Sequence, residues 1–169
     1  MKAVKIIVVI VTVLILGFVA IGFIVPEVQY QSTIQIDKPV DQVFSMFTDV
    51  EKAKDWIPEI KSVSVVQQQP NQVGSEYNVV ISSNGQEVAM KQKVLEFAKN
   101  KSVKYRYNVG GMLKLNDFQF VSEGSSTQVT QTTTVKSSEF LMSSMLPLFK
   151  SKLKEQDQMY LQGLKKYIE

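Results

Sequence analysis

Residues 30–58, YQSTIQIDKPVDQVFSMFTDVEKAKDWIP, change their apolar period in mid-course. Tyr30, Ser32, Ile34 and Ile36 alternate, which predicts a strand with these residues on one side. Asp37-Lys38-Pro39 turns the chain and opens a helix, because proline suits a first helical turn. Val40, Val43, Phe44 and Phe47 then recur at helical spacing. Asp49 is placed to cap a second short helix through Lys52 to Trp56, ended near Pro58. A strand followed at once by two short helices sets the frame for everything downstream.

Further strands follow, separated by turn signals. Residues 62–68 lead into Pro70-Asn71. Residues 75–82 place Tyr77, Val79 and Ile81 on one face and close at Asn84-Gly85, a strong hairpin signal. In residues 87–97 the apolar phase moves from Val88, Met90 and Val94 to Leu95 and Phe97, which predicts a bulge. Val103, Tyr105, Tyr107 and Val109 face one way, and Lys104, Arg106 and Asn108 the other, before Gly110-Gly111. Leu113 and Leu115 give way to Phe118 and Phe120, a second slip near Asn116-Asp117. Gly124-Ser125-Ser126 turns into a last strand over residues 127–135. A long helix starts near Glu139. Its apolar stripe is Leu141, Met142, Met145, Leu146, Phe149, Leu153, Tyr160, Leu164, Tyr167 and Ile168. Pro147 predicts a kink or break, and Lys150, Lys152, Lys154, Glu155, Asp157, Lys165 and Lys166 are assigned to the polar face. The expected class is α+β: a curved antiparallel sheet wrapped around a long C-terminal helix, with two short helices after the first strand.

Upstream, residues 6–25 form a run of 20 without a charge. As a helix this run is about 30 Å long, the thickness of a hydrocarbon core. Lys2 and Lys5 precede it and Pro26-Glu27 follow, so the positive-inside bias puts the N-terminus in the cytoplasm. The expected division is a signal-anchor transmembrane segment at 1–27 and an exported domain at 28–169, in the cytoplasmic (inner) membrane with a single pass. The alternative is cleavage after the small residues Ala20 and Gly22, giving a secreted or periplasmic domain.

Composition narrows the chemistry. The 169 residues include no histidine and no cysteine, so Ser-His-Asp and Cys-His nucleophiles, zinc fingers and disulfides are excluded. General acids or bases would be carboxylates, lysines or tyrosines, and a metal would need oxygen ligands. No cofactor is expected. Setting aside Lys2, Lys5 and Glu27, the 19 basic and 16 acidic residues become 17 and 15. A nearly neutral body whose one arginine is Arg106 does not suit nucleic acid.

Ile34-Gln-Ile-Asp-Lys-Pro39, Val43, Asp49 and Trp56-Ile-Pro58 together resemble the opening of the START-like (SRPBCC) helix-grip superfamily. More narrowly, they resemble its polyketide cyclase/dehydrase and lipid-transport-like branch. Val73-Gly74, the run from Gly124 to Val129 and the terminal Leu164-Lys-Lys-Tyr-Ile168 extend the match to about residues 30–169. The resemblance implies a sheet–helix cavity. Superfamily members bind sterols, lipids, polyketides or plant metabolites, so the motifs identify a fold more than a function.

On the strand phases, Tyr77, Val79, Ile81, Met90, Gln92, Tyr105, Tyr107, Phe118, Phe120, Gln131 and Thr133 are expected to line that cavity. Met142, Met145, Leu146 and Phe149 would close it from the helix. Gln92, Gln131 and Thr133 in phase with apolar neighbours suggest a few convergent polar groups in an apolar pocket. A packed core without ligand space is the competing reading. Trp56 is expected to pack, Asp49, Asp55 and Glu59 to cap and solvate, and Lys150, Lys152 and Lys154 to be solvated. No carboxylate is expected on the inner face. The function expected is a membrane-anchored module holding a lipid-like or other hydrophobic small molecule. The alternatives are a cyclase/dehydrase-type enzyme using Tyr77, Tyr105 or Tyr107 as acid or base, and a closed protein-interaction domain. The sequence does not set the oligomeric state.

Overall fold

The computed structural model describes residues 2–169 apart from Asn84; the side chains of Ala3, Ile21, Phe23 and Ser83 are also outside the described set. The Asn84 half of the expected hairpin signal therefore lies outside the described residues, while Gly85 adopts φ +78°.

An N-terminal helix α1 (Lys2–Ile24) precedes strand β1 (Glu27–Ile36). The helix α2 (Val40–Thr48) starts at Pro39 as its period requires, and buries Val43, Phe44 and Phe47. Asp49 then accepts the Glu51 N–H at 3.2 Å. That cap starts a 3₁₀ turn (Val50–Lys52), followed by α3 (Ala53–Trp56). Six more strands follow: β2 (Ile60–Gln67), β3 (Glu76–Ser83), β4 (Gln86–Ala98), β5 (Ser102–Val109), β6 (Met112–Glu123) and β7 (Ser126–Ser137). The closing helix is α4 (Phe140–Ile168). The strands form one antiparallel sheet in the order β1-β7-β6-β5-β4-β3-β2. This is the α+β, helix-grip arrangement.

Alternation sets which face is inside. In β1, Val28, Tyr30, Ser32 and Ile36 are buried, and in β7 every second residue from Thr127 to Val135 is buried. The core is aromatic beneath α2. The Phe47 ring lies 4.6 Å from Phe118, and Phe44 meets Phe97 and Phe120 edge-on. Burying a side chain such as Phe44, Phe47, Phe118 or Phe120 stabilises the fold by about 1.5–3 kcal/mol. Beside the edge strand β1, α4 satisfies exposed backbone: Gln158 Nε2 donates to the Thr33 carbonyl and Lys165 Nζ to that of Gln35. Covering those groups closes an edge that could otherwise pair with another chain.

The bulge in β4 lies between Val94 and Glu96 as expected, and further irregularities occur in β2, between Ile60 and Ser62 and between Val65 and Gln67. Four other expectations are corrected. No bulge occurs near Asn116-Asp117, where β6 pairs in unbroken register with both neighbours. Its inner phase is polar there, not displaced. Of the kink or break expected at Pro147, the break does not occur, because α4 runs through that residue as one helix. Leu141, expected in the core stripe, is 64% exposed, whereas Asp157, expected on the polar face, is 1% exposed.

The side chains of residues 4–16 on α1 are exposed, and its C-terminal part packs on α4. A Cβ at Gly22 would collide with Ser144 Oγ. Among the described residues no helix is long and apolar enough to cross a membrane; the unbroken series of described side chains in α1 covers residues 4–20.

Candidate functional site

Between the inner face of the sheet and α4 lies a cavity of about 420 Å³. Its volume falls within the range of small-molecule sites. The wall from the sheet is Val79, Ile81, Met90, Tyr105, Tyr107 and Phe118, and that from α4 is Met142, Leu146, Phe149 and Leu153. Trp56, Ile57 and Ile60 contribute from α3 and the start of β2. A more open surface depression lies beside the β5–β6 turn, lined by residues such as Gly110, Gly111 and Ser138. It has no buried polar side chain in its wall, so the cavity between sheet and helix is the site that chemistry favours.

The cavity has a polar end where β6 and β7 face α4, with Gln92 of β4 standing apart from it. Lys114 and Asn116 reach it from β6, Gln131 from β7, and Gln156 and Asp157 from α4. Asp157 organises this end. Its Oδ1 accepts from Lys114 Nζ at 2.6 Å, and its Oδ2 accepts from the Tyr30 hydroxyl at 2.9 Å and Thr133 Oγ1 at 2.8 Å. Gln131 Nε2 donates to Thr133 Oγ1 at 3.0 Å, and Thr133 Oγ1 lies 3.2 Å from Asn116 Oδ1. Burying a carboxylate this deeply is costly unless charge and hydrogen bonds compensate it. Here one cation and two hydroxyls do so. The Lys114 side chain retains 24% exposure. An ammonium carries three donors, so Lys114 keeps N–H capacity for a group in the cavity.

Four tyrosines are set as neutral donors. Burial pushes the Tyr105 and Tyr107 hydroxyls well above the usual phenol range. Burial and then the Asp157 charge do the same for Tyr30, and burial with the charge of Glu59 for Tyr160. A phenol so raised stays protonated at neutral pH and is a poor general base. Trp56 Nε1 is buried without a partner, which adds an unsatisfied donor on a cavity-lining residue.

The model of the family described as polyketide cyclase / dehydrase and lipid transport matches residues 27–169. The chain belongs to that family. Solved structures agree on its fold. The protein TTHA0849 from Thermus thermophilus is 21% identical with a TM-score of 0.68, the match covering 85% of this chain and 97% of that one. A START superfamily protein from Mycobacterium smegmatis is 17% identical with a TM-score of 0.69, covering 83% and 99%. The Zhui aromatase/cyclase from Streptomyces sp. R1128 is 10% identical with a TM-score of 0.63, covering 81% and 93%. No curated protein sequence matches the chain.

Within this polyketide cyclase/dehydrase and lipid-transport fold, Val79, Ile81, Met90, Gln92, Tyr105, Tyr107, Phe118 and Gln131 fall on the cavity wall from the sheet. Met142, Leu146 and Phe149 fall on it from α4. Four expected residues do not. Tyr77 and Phe120 are buried in the core cluster, Thr133 sits behind the wall as a partner of Asp157, and Met145 is half-buried off the cavity. Sequence reading missed Lys114, Asn116, Gln156 and Asp157. The expectation that no carboxylate faces inward is overturned by Asp157. Its helical spacing from Leu146, Leu153, Leu161 and Leu164 was the available signal, since these positions share one face. The acidic trio Asp49, Asp55 and Glu59 does not form a metal-binding group among the described residues; Asp49 caps, and Asp55 accepts from the Tyr167 hydroxyl at 3.4 Å.

Proposed function

We propose that the protein is a membrane-tethered binding module for an amphipathic, mainly apolar small molecule. The apolar part would lie against Val79, Ile81, Met90, Met142, Leu146 and Phe149. An oxygen-bearing head, a carboxyl, carbonyl or hydroxyl group, would meet Lys114, Asn116 and Gln131. The observation that carries this reading is the mainly apolar cavity of about 420 Å³ between sheet and helix, with most of its polar residues gathered where β6 and β7 face α4. The methionines Met90 and Met142 give that lining an adaptable shape suited to flexible chains.

Tethering rests on the uncharged run at residues 6–25 behind Lys2 and Lys5. We place α1 across the membrane, the N-terminus in the cytoplasm and the domain from residue 28 outside. The seat of Gly22 against Ser144 favours retention of α1 over cleavage, because removal would strip a packed surface from α4. Protease given access to the outer face of the membrane should digest the domain; protection until that membrane is lysed reverses the orientation.

The Asp157–Lys114 pair also gives a second reading, a cyclase- or dehydrase-type enzyme that uses this inward acid–base pair. Against it, both Asp157 oxygens are already engaged, and Tyr105 and Tyr107 are raised away from base behaviour. The decisive experiment is native mass spectrometry of the full chain, followed by titration with a fluorescent fatty acid. The binding reading expects a co-purified or saturably bound molecule recovered unchanged, and at least a tenfold loss of binding for Met90→Trp with the melting temperature kept. A molecule returned chemically altered supports the enzyme, and no saturable binding removes both.

A further inference from the structure

The first half of α4 has two apolar sides. Leu146 and Leu153 face the cavity. Leu141, Met145, Leu148 and Phe149 form a second stripe at i, i+4, i+7 and i+8, the spacing of one helix face. That stripe looks outward: Leu141 is 64%, Leu148 66% and Phe149 40% exposed, and Met145 is half-buried. An exposed apolar helix face asks for a partner.

Three observations select a lipid surface. The stripe adjoins α1, because Gly22 sits directly on Ser144 of the same α4 segment. Gly22 is three residues from the end of the uncharged run, about 4.5 Å along a helix, so Ser144 is held at interfacial depth when α1 spans. The charge is complementary to anionic headgroups as well. Residues 140–154 include no acidic residue, and the exposed Lys152, four positions after Leu148, lies on the stripe's side of the helix. Lysine stems can lie along apolar surface while their ammonium groups reach headgroups.

We propose that residues 141–152 of α4 rest on the bilayer that holds α1, with Leu141, Leu148 and Phe149 in the interfacial layer and Lys152, on the same side of the helix, against anionic lipid. This rests on the reading of α1 as a membrane anchor. Phe149 both lines the cavity and faces outward, so the seat sets a wall of the cavity against the acyl layer, the natural source of an apolar ligand.

The chain has no cysteine, so single cysteines report position directly. Leu148→Cys, Leu141→Cys, Leu14→Cys and Val66→Cys in the full chain would each carry a nitroxide in 3:1 phosphatidylcholine:phosphatidylglycerol vesicles. Accessibility to oxygen over a water-soluble nickel complex is then measured. Val66, 62% exposed on β2, is the aqueous reference. The expected ratio at 148 and 141 is several-fold above that at 66 and approaches that at 14. Aqueous values at 141 and 148 with a lipid value at 14 overturn the α4 seat and leave the anchor standing. An aqueous value at 14 overturns the anchor and the seat together. In vesicles of phosphatidylcholine alone the ratio at 148 should fall; an unchanged ratio removes Lys152 from the contact.

Discussion

The Lys114 ammonium lies 2.6 Å from the Asp157 carboxylate, joining β6 to α4 across the polar end of the cavity. The pair ties the sheet to the helix that covers it. Removing one partner strands the other. Lys114→Met should therefore cost about 3 kcal/mol or more, a fall in melting temperature on the order of 10 °C for a domain of this size. Adding Asp157→Asn should recover most of that loss, since the amide oxygen still accepts from Tyr30 and Thr133 without carrying a charge. Thermal denaturation of the two singles and the double checks it. Losses that simply add would show that the two groups are not coupled.

That pair also explains what the sequence conceals. Strand alternation, the α2 period and the Asp49 cap were legible because each depends on a local pattern. The cavity's polar end was not. Lys114 and Asn116 occupy inner positions of β6 between Met112 and Phe118, and a polar residue in an apolar phase reads as a slip of register. Asp157 is the complementary case, a charge on the buried side of α4 among leucines. Each looks misplaced alone, and only the pairing across the fold makes either tolerable. Leu141 fails in the opposite sense, since apolar periodicity does not say which of two apolar faces meets the core.

Alkaline pH should unfold the domain through its tyrosines. Tyr30, Tyr105, Tyr107 and Tyr160 have hydroxyls raised above the usual phenol value, chiefly by burial. A raised folded value means that the stability is fully present below the unfolded value of about 10 and is lost as pH climbs above it. Phenolate absorbance should thus lag a free-tyrosine titration and then rise together with loss of helix signal. Simple titration of these four near pH 10 with the fold intact would contradict the burial.

Gly163 on α4 should resist replacement by alanine. Helix propensity alone favours alanine by about 1 kcal/mol. A Cβ there would stand 2.5 Å from the Trp56 carbonyl oxygen, a backbone atom fixed by the turn after α3. Gly163→Ala should lower the melting temperature despite its better propensity, because α4 must move away from α3. A rise in melting temperature would show that the two helices separate at little cost.

The same polar end can be tested for selectivity with Lys114→Met combined with Asp157→Asn, which removes both charges while keeping acceptors for Tyr30 and Thr133. If Lys114 meets the ligand's oxygen-bearing head, an amphipathic fatty-acid probe loses a charged hydrogen bond of about 1.5–3 kcal/mol, a tenfold or greater loss of affinity. A hydrocarbon probe with no polar head, such as pyrene, loses nothing, since it touches only the apolar wall of Val79, Ile81, Met90 and Leu146. Fluorescence titration of both probes against the native chain and the double variant separates the cases. Equal losses for both probes would mean that the substitutions altered the cavity's shape, and no loss for either would mean that Lys114 and Asp157 serve the fold alone.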